Sequence, residues 1–318
     1  MIDESAPAPD SELERVFAHI LALEDVESRF GKAIRRTFDM LLDGKNTGRY
    51  RWCKLHKTEK THCGTLVEIN LQREFTFDDG TLLDYSIAGA EVDCKYSQTL
   101  GDWMIPPEAV GQVLLGIWAD DELGKWSAGL IRAEPHLLTG GQGNRDLKRR
   151  LTKDGKASVR WLFSNSDLQE NLLLHMPQDD VEVIMGKKHG TQRVDELFRR
   201  AQGRIVGRTA VATVAQQEDY MKRVRGNGGA RTSLKPEGIV IFGHYDKHRA
   251  LARQLGLPVP APRSGESVSA RLSRRQAHHS GRPHISLQGK EWVIALPEDP
   301  VEEAPTLPST KKSTPEKS

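Results

Sequence analysis

Apolar residues three and four positions apart mark the start of the chain as helical. Leu13, Val16, Phe17 and Ile20 form one stripe behind Asp10 or Ser11, either of which can cap it. Phe30, Ile34, Phe38 and Leu41 form a second stripe, closed by Asp43-Gly44. Residues 56–70 have no clean period, and fit either a helix throughout or a chain that turns extended at 66–69. Beyond Asp78-Asp79-Gly80, read as a turn, LLDYSI and AEVDCKYS are two short strands meeting at Ala88-Gly89. With those two residues as the turn, Ile87 faces Ala90, Asp84 faces Asp93 and Leu82 faces Lys95. Alternation then sets Asp93 and Lys95 on one face, with Val92, Cys94 and Tyr96 on the other. Ala-Gly is not a favoured two-residue turn, so a register shifted by one competes.

Residues 110–119 and 126–133 are apolar runs and predict buried central strands. The Gly-rich stretch TGGQGNRD then leads into a predicted helix with Arg145, Lys148, Arg149 and Arg150, a candidate contact for DNA phosphates. Polar Ser164-Asn165-Ser166-Asp167 opens a linker over 164–170. It separates a first domain, 11–163, from a second, 171–297, with a flexible N-terminus over 1–10. QENLLLHM and DVEVIMG suggest a short helical lead-in to the second domain. Val194, Leu197, Phe198 and Ala201 then share a helical stripe. Residues 207–231 read as the next two helices of a helix-turn-helix unit, the later one over 216–225. There Gln216 and Gln217 can reach base edges, and Lys222, Arg223, Arg225 and Arg231 can hold phosphates or guanines. A strand, IVIFGH, a helix over 248–258, and a hairpin through Gln288-Gly289 that can serve as a wing complete the domain. The Pro-, Glu- and Lys-rich residues 298–318 read as a disordered tail.

Composition sharpens this division. Of 318 residues with a net charge of +2, the stretch 187–275 holds 19 Lys and Arg against 7 Asp and Glu. That is +12, leaving −10 elsewhere, the asymmetry of a nucleic-acid-binding domain attached to a metal-dependent one. An Arg-rich soluble domain would look the same on charge alone. No apolar run is long enough to span a membrane, and the acidic N-terminus resembles no secretory signal, so a cytoplasmic location is expected. Three cysteines without C-x-x-C spacing fit a reducing compartment. His278-His279, in an Arg-rich stretch, is expected to be solvated.

The strand pair carries the candidate chemistry. Two carboxylates opposed across a ribbon repel, and a divalent cation with a preference for hard oxygen ligands, Mg²⁺, converts repulsion into coordination. A lysine two residues on can orient water or neutralise charge on a phosphate. The arrangement D-(x)8-D-x-K at Asp84, Asp93 and Lys95 is similar to that of the PD-(D/E)xK nucleases, with Leu83 where proline often stands.

Longer runs are more specific. HKTEKTHCGTLVEINLQREF, the hairpin with Asp84 and Asp93-Cys94-Lys95, NRDLKRRLT, LQENLLLH, VATVAQQEDYMKRVRG and GGAR resemble the NaeI restriction endonuclease family, in order and spacing, from about residue 13 to 300. The resemblance implies a type IIE enzyme: a Mg²⁺-dependent homodimer, bacterial and cytoplasmic, that binds two copies of a GC-rich palindrome and cuts one. It suggests GCCGGC as the target. It also implies an α/β nuclease domain of the PD-(D/E)xK type, with a mixed central sheet flanked by helices, and a mainly α C-terminal winged-helix/helix-turn-helix domain that activates it. The catalytic set would be Glu68, Asp84, Asp93 and Lys95, with Glu68, Asp84 and Asp93 holding the metal. Two other readings are a non-cleaving sequence-specific DNA-binding regulator and a repair nuclease of loose specificity.

Overall fold

The computed structural model describes residues 10–140 and 146–308. The chain divides into two compact units, Met1–Leu42 with Trp52–Glu170, and Asp43–Arg51 with Asn171–Ser318. The expected helix caps and stripes organise the start of the first. α1 (Ser11–Leu21) begins at Asp10, whose carboxylate accepts the N–H groups of Glu12 and Leu13. Arg132 pairs with the same carboxylate at 2.7 Å, so Asp10 is a fixed part of the fold and not of a flexible end. Residues 1–9 lie outside the described residues. α2 (Val26–Leu42) buries Phe30, Ile34, Phe38 and Leu41 and stops where Asp43 turns left-handed. α3 (Gly44–Thr47) follows and is counted with the second unit. α4 (Lys57–Phe75) is helical throughout, which settles the ambiguity over 56–70. The Glu59 carboxylate closes its first turn by accepting the His56 N–H at 2.7 Å.

Beside these helices lies a six-stranded sheet in chain order: β1 (Asp78–Asp79), β2 (Tyr85–Ile87), β3 (Ala90–Ser97), β4 (Val113–Asp120), β5 (Lys125–Arg132) and β6 (Arg160–Asp167). Only β3 and β4 run parallel, which makes the sheet mixed. One face buries Val92, Cys94, Val113, Leu115 and Ile117 with the apolar stripes of α1, α2 and α4. The other packs Leu114 and Ile131 with Trp103, Ile105 and Val159. α5 (Lys153–Ala157) precedes β6.

Three expectations fail here. Asp78-Asp79 is an edge strand paired with Ser86 and Tyr85, and the chain turns afterwards, over 80–84. Ser164–Asp167 is the second half of β6, polar because that strand is the exposed edge of the sheet. Among the described residues, the helix expected to carry Lys148, Arg149 and Arg150 is not formed: Arg149 exchanges backbone hydrogen bonds with Ile105, and Leu151 bridges Leu138. These bridges let Leu151 join the second core, which a continuous helix could not do. Arg145 lies outside the described residues; Lys148 is exposed and Arg149 half-buried.

The second unit contains α6 (Gln178–Met185), α7 (Gly190–Arg200), β7 (Ile205–Val206), α8 (Arg208–Ala215), α9 (Ala230–Ser233), β8 (Ile239–Gly243), α10 (Asp246–Gln254), β9 (Ser267–Arg274), β10 (His284–Leu287) and β11 (Lys290–Ile294). Its sheet runs β10-β11-β9-β7, and β8 also pairs with β9. α7 buries Val194, Leu197 and Phe198, with Ala201 just beyond it. The β10–β11 hairpin turns at Gln288-Gly289, both at positive φ.

The helix expected over 216–225 is absent. α8 ends at Ala215, Gln216 turns left-handed, and Tyr220–Val224 form a single 3-10 turn. Residues 172–176, from the proposed helical lead-in, are turns. The tail is also more ordered than its composition suggests. Asp299 and Ala304 are buried, and Ala304 N–H donates to Lys235 O.

His248 anchors that tail from inside. Its Nδ1 accepts the Gly243 N–H at 3.1 Å, which leaves Nε2 to donate to Pro308 O. Burial, then the nearby Arg231 charge, lowers its pKa to about 4. A neutral imidazole therefore stabilises the fold above the unfolded value of about 6.5, and that stability is lost as pH falls from there towards 4. Thermal melts of the wild type are expected to lose on the order of 2 kcal/mol across this window through His248, and His248→Gln to lose less. Identical pH slopes in the two proteins would remove this role.

Candidate active site

The site begins at the β2–β3 hairpin. Its ladder pairs Ile87 with Ala90, Ser86 with Glu91 and Tyr85 with Val92, the unshifted register about Ala88-Gly89. Backbone pairing stops there, because the chain bends away over 81–84. Asp84 stays attached through its side chain: Oδ2 accepts the Cys94 N–H at 2.7 Å. Leu82, expected opposite Lys95, is instead 78% exposed in the bend.

Lys95 gathers the carboxylates. Its Nζ lies 2.6 Å from Asp93 Oδ1 and 3.3 Å from Asp84 Oδ2, and also donates to Cys94 O at 3.0 Å. Asp93 and Lys95 are register partners of Leu114 and Gly116, on the sheet face opposite Val92, Cys94 and Tyr96. Asp93 is 3% exposed, and its Oδ2 is buried without a hydrogen-bond partner. Such an atom is costly to leave unmade. Burial first, and Asp84 second, push the Asp93 carboxyl up to about 6 against the pull of Lys95. Burial opposes the Lys95 charge, but Asp93 and Asp84 outweigh it and hold the ammonium above its ordinary range.

Glu68 comes from α4, outside the ribbon. Burial raises its pKa, and Asp84, Lys95 and Asp93 all act on its charge, so the four groups form one electrostatic cluster. Tyr85 fixes the helix there by donating its hydroxyl to Glu68 O at 2.7 Å. Asp84 and Asp93, the latter with an orphaned buried oxygen, offer oxygen donors, and Glu68 shares their electrostatic field from α4. Such donors fit a hard divalent cation such as Mg²⁺.

One residue of the site escapes sequence reading. Glu91 lies on the same β3 face as Asp93, two residues before it. Its carboxylate accepts three successive backbone N–H groups, Thr81 at 2.7 Å, Leu82 at 3.1 Å and Leu83 at 2.9 Å. These bonds hold its pKa below the usual range. Gly80 makes the approach feasible, since a Cβ there would lie 2.3 Å from Leu83 O and 2.8 Å from Glu91 Oε2. Glu91 therefore clamps the bend that ends at Asp84. The i, i+2, i+4 row Glu91, Asp93, Lys95 was the available signal.

The residues expected to bind DNA over 216–231 lie in the second unit. Gln216 caps α8 with its backbone, and Gln217 accepts from Arg223 Nε at 2.7 Å. Lys222 is paired with Asp219 and exposed, and Arg225 is exposed. Arg231 lies on α9, its Nε donating to Ile241 O. His278 and His279 are not both solvated: each places Nε2 2.9 Å from a different oxygen of Asp299, and His279 is fully buried. Because His279 Nδ1 accepts the Gln276 N–H, its Nε2 keeps the proton and a hydrogen-bonded knot is the simpler reading.

A family model described as "Restriction endonuclease NaeI" matches residues 14–303. The chain is 51% identical to the Type II restriction enzyme NaeI of Lentzea aerocolonigenes over 307 residues, covering 94% of this chain and 95% of that protein.

Replacing Glu91 by alanine is expected to speed hydrogen exchange at the amides of residues 81–83 by about tenfold or more, with the β3–β4 amides unchanged. Unaltered exchange at the bend would show that the clamp is not what holds it.

Proposed function

The chain belongs to the NaeI family of restriction endonucleases, and on that premise we propose that the Asp84, Asp93, Lys95 and Glu68 cluster is where it hydrolyses the phosphodiester bonds of double-stranded DNA. The protein is a type II site-specific deoxyribonuclease. The observation that carries the assignment is the meeting of both aspartates on one ammonium, at 2.6 and 3.3 Å, with Asp93 nearly sealed from water. Structural ion pairs rarely leave a buried carboxylate oxygen unpartnered, and Asp93 Oδ2 is such an atom.

In this reading Asp84 and Asp93 would hold Mg²⁺, with Glu68 in support. The bound ion supplies a more acidic water and neutralises charge on the scissile phosphate. The protein's own groups do the rest. Lys95 Nζ, held between two carboxylates and the Cys94 carbonyl, would turn one of its three N–H groups from these partners to the attacking water or to the phosphate oxygens as charge builds on them. Glu68, whose buried carboxyl holds a proton more readily than usual, is suited to take up the proton that the water gives up. The sheet in which β3 lies keeps Asp93 and Lys95 from relaxing apart, which is the pre-organisation such catalysis needs.

The finer proposals follow from the family. The first unit is read as a nuclease of the PD-(D/E)xK type. The second is read as a DNA-binding domain that engages another copy of the site and activates the first, a coupling between two sites. A palindromic target suits a two-fold dimer in which each subunit cuts one strand. Among the described residues no helix is long and apolar enough to cross a membrane. The reading places the enzyme in the bacterial cytoplasm.

Lys95→Ala is expected to lower the cleavage rate of plasmid DNA in Mg²⁺ by about a hundredfold or more while duplex affinity persists. Cleavage at the wild-type rate would refute the assignment. A plasmid with one site is expected to be cut slowly, and a short duplex carrying the site to accelerate it. Equal rates with and without that duplex would dismiss second-site activation.

A further inference from the structure

In the second unit, β7, β8 and β9 end together. Ser267, the first residue of β9, is the register partner of both Val206 and Gly243, and both pairings are antiparallel. The segments leaving β7 and β8, and the one entering β9, therefore emerge at one end of the sheet. They carry Arg208, His244 and Gly265.

Two glycines admit two arginines. The Arg208 side chain lies across Gly265, where a Cβ would come within 2.0 Å of its Nε. The Arg231 guanidinium lies against Gly243, where a Cβ would be 2.7 Å from Nη2. Arg231 also donates Nε–H to Ile241 O at 2.9 Å. Among the described residues neither arginine forms an ion pair. Arg231 is half-buried, and a charge withdrawn from water usually has a partner. Burial lowers its pKa, and both arginines, after burial, lower that of His244 beside them. Glu266 is the acidic group facing His244, and its carboxylate is tied to the Ala261 N–H at 2.7 Å. Arg208 also opens α8, whose N-cap is Gly207, so no side chain caps the first N–H groups of that helix.

A half-buried guanidinium without an acidic partner, a second arginine, an imidazole and an uncapped helix start at one sheet end have the chemistry of an anion site. We propose that this end of the second unit binds a phosphate group of duplex DNA. The proposal rests on reading the second unit as a DNA-binding domain, and it names the residues that hold the strand there. Arg231 is the pre-positioned anchor, Arg208 closes over the phosphate from the helix start, and His244 adds a donor. A phosphodiester, singly charged and presented on a strand, matches a site with one half-buried and one exposed arginine. Inorganic phosphate shares the chemistry without the strand.

The test uses the full chain with Arg208→Ala and, separately, Arg231→Gln, each checked for folding by its melting curve. Binding of a fluorescent duplex carrying the recognition site is measured by anisotropy without divalent metal, over a range of salt. Each variant is expected to bind more weakly and to lower the slope of log affinity against log salt by about one. Arg208→Ala, an exposed side chain, keeps the test decisive if Arg231→Gln does not fold. An unchanged slope in Arg208→Ala, with wild-type binding normal, overturns the phosphate site and leaves the functional reading standing. An unchanged slope together with a phosphate-dependent rise in wild-type melting temperature, absent in the variant, would mean a free-anion pocket and overturn the DNA assignment. A wild-type chain that binds no duplex overturns both.

Discussion

A single ammonium group between two carboxylates is what the first unit depends on. Asp84 and Asp93 would repel if brought together alone, and Asp93 is almost sealed from water. Lys95 reaches both and makes the arrangement tolerable without satisfying it, since one oxygen of Asp93 stays orphaned. On the proposed reading, that unmet requirement is what a bound cation would satisfy. A fully neutralised ion pair would stabilise the fold more and bind metal less.

The rest of the unit holds that strained cluster in place. β3 is bonded to β2 on one side and β4 on the other, so Asp93 and Lys95 sit on a strand that cannot shift. Asp84 lies where the ribbon has ended, and two side-chain devices replace the missing ladder. Its own carboxylate takes the Cys94 N–H, and Glu91 gathers three N–H groups of the bend. Glu68 arrives on α4, whose position Tyr85 ties to the same hairpin. Ribbon, bend and helix thus meet at the cluster.

The second unit shows where local composition misleads. Residues 216–225 are polar and basic, like a recognition helix, yet Tyr220, Met221 and Val224 reach the core from a 3-10 turn. The chain turns at Gln216 instead. Residues 298–308 look disordered by composition. They are ordered because Asp299 meets His278 and His279, and His248 meets Pro308, partners far away in sequence. The exposed edge β6 was read as a linker for a related reason: an edge strand and a linker both face water.

The amino-acid sequence alone determined the helix stripes at Phe30–Leu41 and Val194–Ala201, the strands around the two hairpin turns, and the pairing about Ala88-Gly89. Those features rest on periods of 3.6 and 2 and on turn chemistry, which operate over a few residues. It also pointed to Asp84, Asp93 and Lys95, because alternation along one ribbon is a local rule. Tertiary structure alone decided that α4 would run unbroken past Glu68 and bring it to the ribbon. It likewise decided that Glu91 would clamp the bend, and that Arg208, Arg231 and His244 would converge at one sheet end. Each of these joins residues on separate elements, and their proximity depends on how the elements pack, which no spacing along the chain encodes.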